Sequence, residues 1–181
     1  GVHVPQGLQA VSCFQTICLI PARMASSRFP GKPLAPMLGH PTLLHILDRC
    51  RLATRLDRIA IATCDEEIRD ACDKVGAEVV MTADTHPGCV DRCCEAVDKI
   101  APDASDDTLI VMVQGDEVLV TPEMIDGVVL AYEKNSVPVV NVVTRIRRAA
   151  DHDNPNRVKV VMDLKGKALF FSRSPIPSRV R

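Results

Sequence analysis

From residue 17 onward, short apolar runs alternate with segments whose apolar residues recur at helical spacing. ICLI (17–20), RIAIAT (58–63), EVVMT (78–82), TLIVMV (108–113) and VPVVNVVTRI (137–146) read as strands. TLLHILDRCRLA (42–53), EEIRDACDKVG (66–76) and DRCCEAVDKIA (91–101) read as helices, the second closed by Gly76. Pro122 suits the first turn of a further helix that runs to about Tyr132. VKVVMD (158–163) and KALFFS (167–172) flank Leu164-Lys165-Gly166 as a late hairpin. Strands that alternate with helices of this length predict an α/β fold with right-handed crossovers. The sheet is expected to be mostly parallel and mixed through the late hairpin. No internal repeat, low-complexity tract or linker interrupts the pattern, so residues 17–181 read as a single domain. Residues 1–16 (GVHVPQGLQAVSCFQT) read as an irregular extension, without the basic start or long apolar block of a signal peptide.

The totals exclude several classes of function. The 181 residues suffice for one domain with a proper core, and a formal net charge of −1 supplies no general basic field for coating nucleic acid. Aromatic residues are 3% of the chain and Trp is absent, which removes stacking platforms for single strands. No apolar stretch reaches the length of a membrane span. The chain has eight cysteines. Cys18 falls on an expected strand, Cys50 and Cys72 on expected helices, and Cys89, Cys93 and Cys94 lack a C-x-x-C pair. They read as reduced thiols acting as small apolar residues, in a cytoplasmic setting.

Open parallel sheets bind ligands beyond the C-terminal ends of their strands. Two segments stand there: IPARMASSRFPGKPL (20–34) after the first strand and VQGDE (113–117) after the fourth. In the first, Pro21 and Pro30 oppose helix formation, and Ala22, Ser26 and Ser27 leave the backbone approachable. Arg23, Arg28 and Lys32 place three cationic heads within ten residues. Arginine grips phosphate oxygens in a fork and lysine acts as a point charge. Charge count alone favours a solvated basic loop; its place after the first strand favours an anion cradle. The loop matches neither G-x-G-x-x-G nor G-x-x-x-x-G-K-[ST], so neither a Rossmann dehydrogenase nor a P-loop enzyme is supported. In the second segment, Asp116 is a candidate Mg²⁺ ligand, with Gly115 making room. An Asx-type turn closing the strand is an equal reading of that motif alone. Basic loop and acidic turn together describe a site for a nucleoside triphosphate with Mg²⁺.

IPARMASSRFPGKPL, VQGDE, NPNRVKVV (154–161) and ALFFSR (168–173) resemble the 3-deoxy-manno-octulosonate (Kdo) cytidylyltransferases, with acylneuraminate cytidylyltransferases as near relatives. The resemblance covers roughly residues 17–181. It implies a nucleotidyltransferase-type α/β sandwich with helices on both faces, and a homodimer. It also implies a reaction in which the anomeric hydroxyl of an acidic sugar attacks the α-phosphate of CTP, with Mg²⁺, to give CMP-sugar and pyrophosphate. By position, Arg23 and Lys32 are implied to hold the triphosphate and stabilise its developing charge, supported by Ser27 and Arg28. Pro21 and Ala22 are implied to lie near the cytosine, Asp116 to bind Mg²⁺, Gln114 to touch the sugar, and Arg173 to face the sugar carboxylate.

The chain departs from that pattern in three places. Gly88-Cys89-Val90-Asp91-Arg92 stands where the family shows Ser-Gly-Thr-acid-Arg; Asp91 and Arg92 match as nucleotide-binding positions, and the hydroxyls and central glycine do not. Thr63-Cys64 stands for a Thr-Asp pair, with Asp65 and Glu66 following. Family members continue beyond the position of Arg181, so the chain reads as C-terminally truncated. His86 aligns with a family histidine and reads as a structural hydrogen-bonding residue. The expected function is CTP-dependent activation of Kdo for lipopolysaccharide or capsule precursors. The alternatives are activation of another acidic sugar, of sialic or amino-Kdo type, or a nucleotide-binding fragment without turnover.

Overall fold

The computed structural model describes residues 15–25, 29–135 and 137–178. In chain order its elements are strand β1 (Thr16–Pro21), a 3₁₀ turn (Lys32–Leu34), the short strands β2 (Pro36–Met37) and β3 (His40–Pro41), and helix α1 (Thr42–Arg51). Strand β4 (Arg58–Thr63), helix α2 (Glu66–Asp73), strand β5 (Glu78–Met81), helix α3 (Cys89–Ile100) and strand β6 (Leu109–Met112) follow. Helix α4 (Pro122–Asn135), helix α5 (Ala149–Asp153) and strands β7 (Lys159–Met162) and β8 (Ala168–Ser172) complete the list. The chain divides into two compact units between Val140 and Asn141.

In the first unit the sheet order is β5-β4-β1-β6, and every pair is parallel. The chain winds outward from β1 through β4 to β5, then crosses back to β6 on the other side of β1. That reversal makes a topological switch point between β1 and β6, where the loops leave in opposite directions. β1 is buried along its whole length, which is why TICLIP carries a single polar side chain, that of Thr16, whose N–H donates to Asp57 Oδ2 at 2.7 Å. Its side chains alternate between faces. Cys18 and Ile20 pack with Leu43, Ile46, Ile68 and Ile125 of α1, α2 and α4. Ile17 and Leu19 pack with Cys93 and Ala96 of α3 on the opposite face, across the small Ala60 and Ala62 of β4. Helices thus cover both faces.

β2 and β3 form a minimal antiparallel hairpin through Leu38 and Gly39, whose φ angles of 50° and 85° are those of a primed two-residue turn. The sequence pattern did not signal it, since Leu is not a residue that ordinarily occupies positive φ.

The second unit is built on the β7–β8 antiparallel hairpin, which forms its own two-stranded sheet. The Lys159 ammonium, 2% exposed, donates to the carbonyls of Asn154 at 2.9 Å, Arg157 at 2.7 Å and Arg173 at 2.5 Å. The NPNRVKVV motif thereby closes its loop back on the end of β8. The strand expected over 137–146 is not formed. Val139, Val142, Val143 and Ile146 are exposed, and no described strand lies alongside to receive their backbone hydrogen bonds. β-branched content favours a ladder only where a partner strand and a buried face exist. Among the described residues, no helix is long and apolar enough to cross a membrane.

Candidate active site

The opening loop is tied down at each end. The ladder continues one residue past β1, where Ala22 N–H donates to Ala62 O at 3.0 Å. Met24 is then held from both sides: its N–H donates to Asp65 Oδ2 at 2.8 Å, and its carbonyl accepts from Gly31 N–H at 2.9 Å. Gly31 takes φ 74°, a conformation that suits glycine, and delivers the chain into the 3₁₀ turn that starts at Lys32. Ser26, Ser27 and Arg28, singled out from the sequence, lie outside the described residues.

The acidic turn leaves β6 beside the same strand. Val113 N–H donates to Leu19 O at 3.0 Å and Gly115 N–H to Pro21 O at 3.3 Å. A Cβ on Gly115 would stand 2.8 Å from Pro21 O and 3.3 Å from the Ala22 methyl. The sequence suggests that this glycine makes room for a ligand; in the structure it makes room for the β1 backbone. The turn is closed by its backbone, Glu117 N–H to Gln114 O at 3.0 Å. The Asp116 carboxylate is therefore left to meet the Lys32 ammonium at 2.9 Å, with the two side chains 38% and 48% exposed in the order Lys32, Asp116. Residues 84 apart in sequence converge as the strand order requires.

Around this pair is an open cleft of about 330 Å³ walled by Pro21, Ala22, Arg23, Lys32, Gln114, Asp116 and Cys89, among others. A second hollow of about 170 Å³ shares Pro21, Ala22, Arg23 and Cys89 with it and is closed by His86, Gly88 and Arg92 at the start of α3. Arg23 is exposed and borders both. One half of the site carries the ammonium–carboxylate pair; the other is smaller and walled by imidazole, guanidinium and backbone.

Arg92 is 3% exposed, and its Nη1 donates to the Thr82 hydroxyl. It is thus a buried, oriented group and not a solvated helix-start residue. Asp91 is exposed and walls neither hollow; its carboxylate lies beside Gly88. His86 Nε2 meets Glu95 Oε2, which also accepts Ala83 N–H at 2.9 Å, while Glu95 Oε1 pairs with Lys99 at 2.7 Å. The Lys99 ammonium, then the His86 and Ala83 hydrogen bonds, hold the Glu95 carboxyl down at about 2. This network braces the loop that carries His86. Arg173 belongs to the second unit, where its Nη1 donates to Pro155 O at 3.2 Å.

The cysteines described are free thiols. Burial is the first cause that pushes Cys93 up to about 12 and Cys72 up to about 11. Cys18 is raised by its hydrogen bond with Cys50 and by burial. Such thiols stay protonated and pack as apolar groups. Cys89 is the exception in position, since it stands in the wall of both hollows. Neither Asp65 nor Thr82 carries a signal of a site role in the sequence. An aspartate ahead of a helix reads as a cap, and nothing local signals that it reaches a loop 41 residues away.

The chain matches a family model described as cytidylyltransferase over residues 17–181. It is 40% identical over 165 residues to a 3-deoxy-manno-octulosonate cytidylyltransferase of Thermodesulfovibrio yellowstonii, an alignment covering 90% of this chain and 65% of the relative. It is 44% identical over 159 residues to one of Nitratidesulfovibrio vulgaris, covering 88% of this chain and 62% of that protein. Among solved structures, a CMP:2-keto-3-deoxy-manno-octonic acid synthetase complexed with CTP superposes with a TM-score of 0.78 at 28% identity, over 91% of this chain and 66% of that one. The chain spans a little under two thirds of the length of these relatives. A parallel sheet with its loops converging at the switch point, and a family match that runs from the second residue of β1 to the last residue of the sequence, lead to one conclusion: the chain belongs to the cytidylyltransferase family.

Proposed function

We propose that this protein transfers the CMP moiety of CTP to an acidic sugar, 3-deoxy-manno-octulosonate, releasing pyrophosphate, in the supply of lipopolysaccharide or capsule precursors. The observation that carries the reading is the Lys32–Asp116 pair at 2.9 Å, standing in one cleft with Arg23 and Gln114. The names of the relatives and the CTP-bound neighbour support the nucleotide and the sugar.

In this reading Arg23 and Lys32 grip the triphosphate, and their charges oppose the negative charge that grows as the bond from the α-phosphorus to the bridging oxygen breaks. Ser27 and Arg28 complete the loop. The hollow bordered by Pro21, Ala22 and Arg92 takes the cytosine, with Asp91 at its approach. Arg92 has donors beyond the one spent on Thr82, and cytosine offers O2 and N3 as acceptors. Gln114 meets the sugar. The work is positioning: the sugar hydroxyl is held against the α-phosphorus, and no side-chain nucleophile is needed.

Among the described residues no three His, Cys, Asp or Glu side chains gather into a self-sufficient metal site. Asp116 offers one carboxylate. That donor set fits Mg²⁺, which is commonly held by one or two carboxylates together with substrate phosphates. When bound, the ion would neutralise part of the triphosphate charge. Asp116 would hold it after releasing Lys32 to the nucleotide. A homodimer in the cytoplasm is part of the same proposal.

The test is pyrophosphate release from CTP, MgCl₂ and Kdo, with UTP and N-acetylneuraminate as controls. Release with CTP and Kdo alone is the expected outcome. Release with N-acetylneuraminate instead shifts the assignment to another acidic sugar. Thermal stabilisation by CTP without release indicates a binding module, and no response to any nucleotide overturns the reading.

A further inference from the structure

Asp65 occupies the N-cap position of α2, the place where an aspartate ordinarily accepts N–H groups of its own first turn. It makes no such bond. Its Oδ2 instead crosses 41 residues of sequence to take the Met24 N–H at 2.8 Å. The same oxygen receives the Cys64 thiol at 3.6 Å, and Asp65 N–H is fixed by the Thr63 hydroxyl at 3.1 Å, in a strand end that is fully buried. The carboxylate is therefore oriented from behind and committed to the loop in front.

What it holds is informative. Arg23 lies between two anchored amides: Ala22 N–H on Ala62 O at the C-terminal end of β4, and Met24 N–H on the Asp65 carboxylate two residues beyond it. With the peptide planes on both sides fixed, the Arg23 Cα–Cβ direction is set, and its side chain stands in the wall shared by the two hollows. Met24 passes the restraint on, since its carbonyl receives Gly31 N–H, one residue before Lys32. Its side chain also packs on the main core. A helix cap has been forgone at a position suited to one, and the carboxylate serves the loop.

We infer that Asp65 is a positioning residue for nucleotide binding: through the Met24 amide it aims Arg23 at the triphosphate. The inference rests on the functional reading above and adds a role to a residue that touches no ligand itself.

The experiment is CTP titration, by calorimetry and thermal shift, on the full 181-residue chain and its Asp65→Ser, Asp65→Asn, Arg23→Ala and Arg23→Ala/Asp65→Ser variants. Serine can cap α2 locally but is too short to reach Met24. It should therefore keep the unfolding midpoint while CTP binds about tenfold more weakly. Asparagine presents an oxygen at the same reach and should stay within about threefold of wild type. In the Arg23→Ala background, Asp65→Ser should cost less than about twofold, because the two substitutions remove one effect. Equal losses in both backgrounds, or full affinity in Asp65→Ser, overturn the inference and leave the functional reading standing. Absence of CTP binding by the wild type removes both. Should Asp65→Ser not fold, amide hydrogen exchange on the wild type decides: Met24 is expected to be protected relative to Ala25, and exchange as fast as in an unstructured chain overturns the proposal.

Discussion

An ammonium and a carboxylate that are both well exposed attract each other weakly, because water screens the pair and each keeps much of its hydration. Lys32 and Asp116, at 2.9 Å and more than a third exposed each, are such a pair. Their energetic value to the fold is small, and that suits the proposed role, in which both groups exchange partners when a triphosphate and a cation bind. Lys32→Ala should therefore change unfolding free energy by no more than about 1 kcal/mol. The same substitution should weaken CTP binding at least about tenfold, since a charge-assisted bond to phosphate is lost. Urea unfolding and calorimetric titration of one variant check both halves. Glu95 behaves differently. Its carboxyl is held at about 2, below the usual 4.5, by Lys99, His86 and the Ala83 amide. A carboxyl depressed in the folded state stabilises the fold above its unfolded value and loses that contribution as pH falls through the folded one. The loss should run from about pH 4.5 down to pH 2, and Glu95→Gln should flatten the acid limb of a Tm-against-pH curve in that window. An unchanged acid limb would count against the network that braces His86.

The elements show which signals a chain states locally and which it leaves to its neighbours. RIAIAT is observed as a strand over the same six residues, Arg58–Thr63, because a short β-branched run bounded by polar residues and buried between neighbours has one compatible state. Helices α1, α2 and α3 fall within two or three residues of their sequence limits for the same reason, an apolar stripe facing a sheet. The run 137–146 carries equally strong β-branched content and forms no strand, since a ladder needs a second strand that its own sequence cannot supply. The site divides in the same way. The convergence of loop and turn is legible, because strand alternation fixes which ends face the ligand. The hold of Asp65 on Met24 is not, because it is a tertiary bond from a residue with a plausible local use. Gly115 lies between these cases: its small size is visible in the sequence, and its reason, contact with the Pro21 carbonyl, is visible only in the packing. Gly115→Ala places a methyl 2.8 Å from a backbone oxygen, which no rotamer can relieve. The β6 end must then move away from β1. The expected cost is about 2 kcal/mol in denaturant unfolding, accompanied by weaker CTP binding as Asp116 leaves Lys32. Unaltered stability would mean that the two strand ends are not in contact in solution.

At the scale of the molecule, stability is uneven. The first unit has its sheet covered on both faces, with β1 fully buried and its flanking helices packed over it. The stretch from 137 to 147 crosses the division between the two units without regular secondary structure, and Val139, Val142 and Val143 are exposed along it. Backbone that lacks a ladder and buries little apolar surface opens at low free-energy cost, whereas core strands open only with the whole unit. Arg145, Arg147 and Arg148 lie at the end of this stretch, each next to exposed neighbours. Arg148 is partly engaged by Asp151 at 3.0 Å, so Arg145 and Arg147 are the more available bonds. Brief trypsin digestion of the native chain should therefore cut first after Arg145 or Arg147. Mass spectrometry should find a protected N-terminal fragment ending there, before any cleavage at Arg49, Arg51 or Arg58, which lie on or beside α1 and β4. Early cleavage within α1 or β4 would show that the first unit lacks the cooperative core assigned to it. Addition of CTP should slow later cuts in the loop that carries Arg23 and Lys32 and leave the Arg145–Arg147 cuts unchanged, since local openings in different parts of a chain respond only to ligands that contact them.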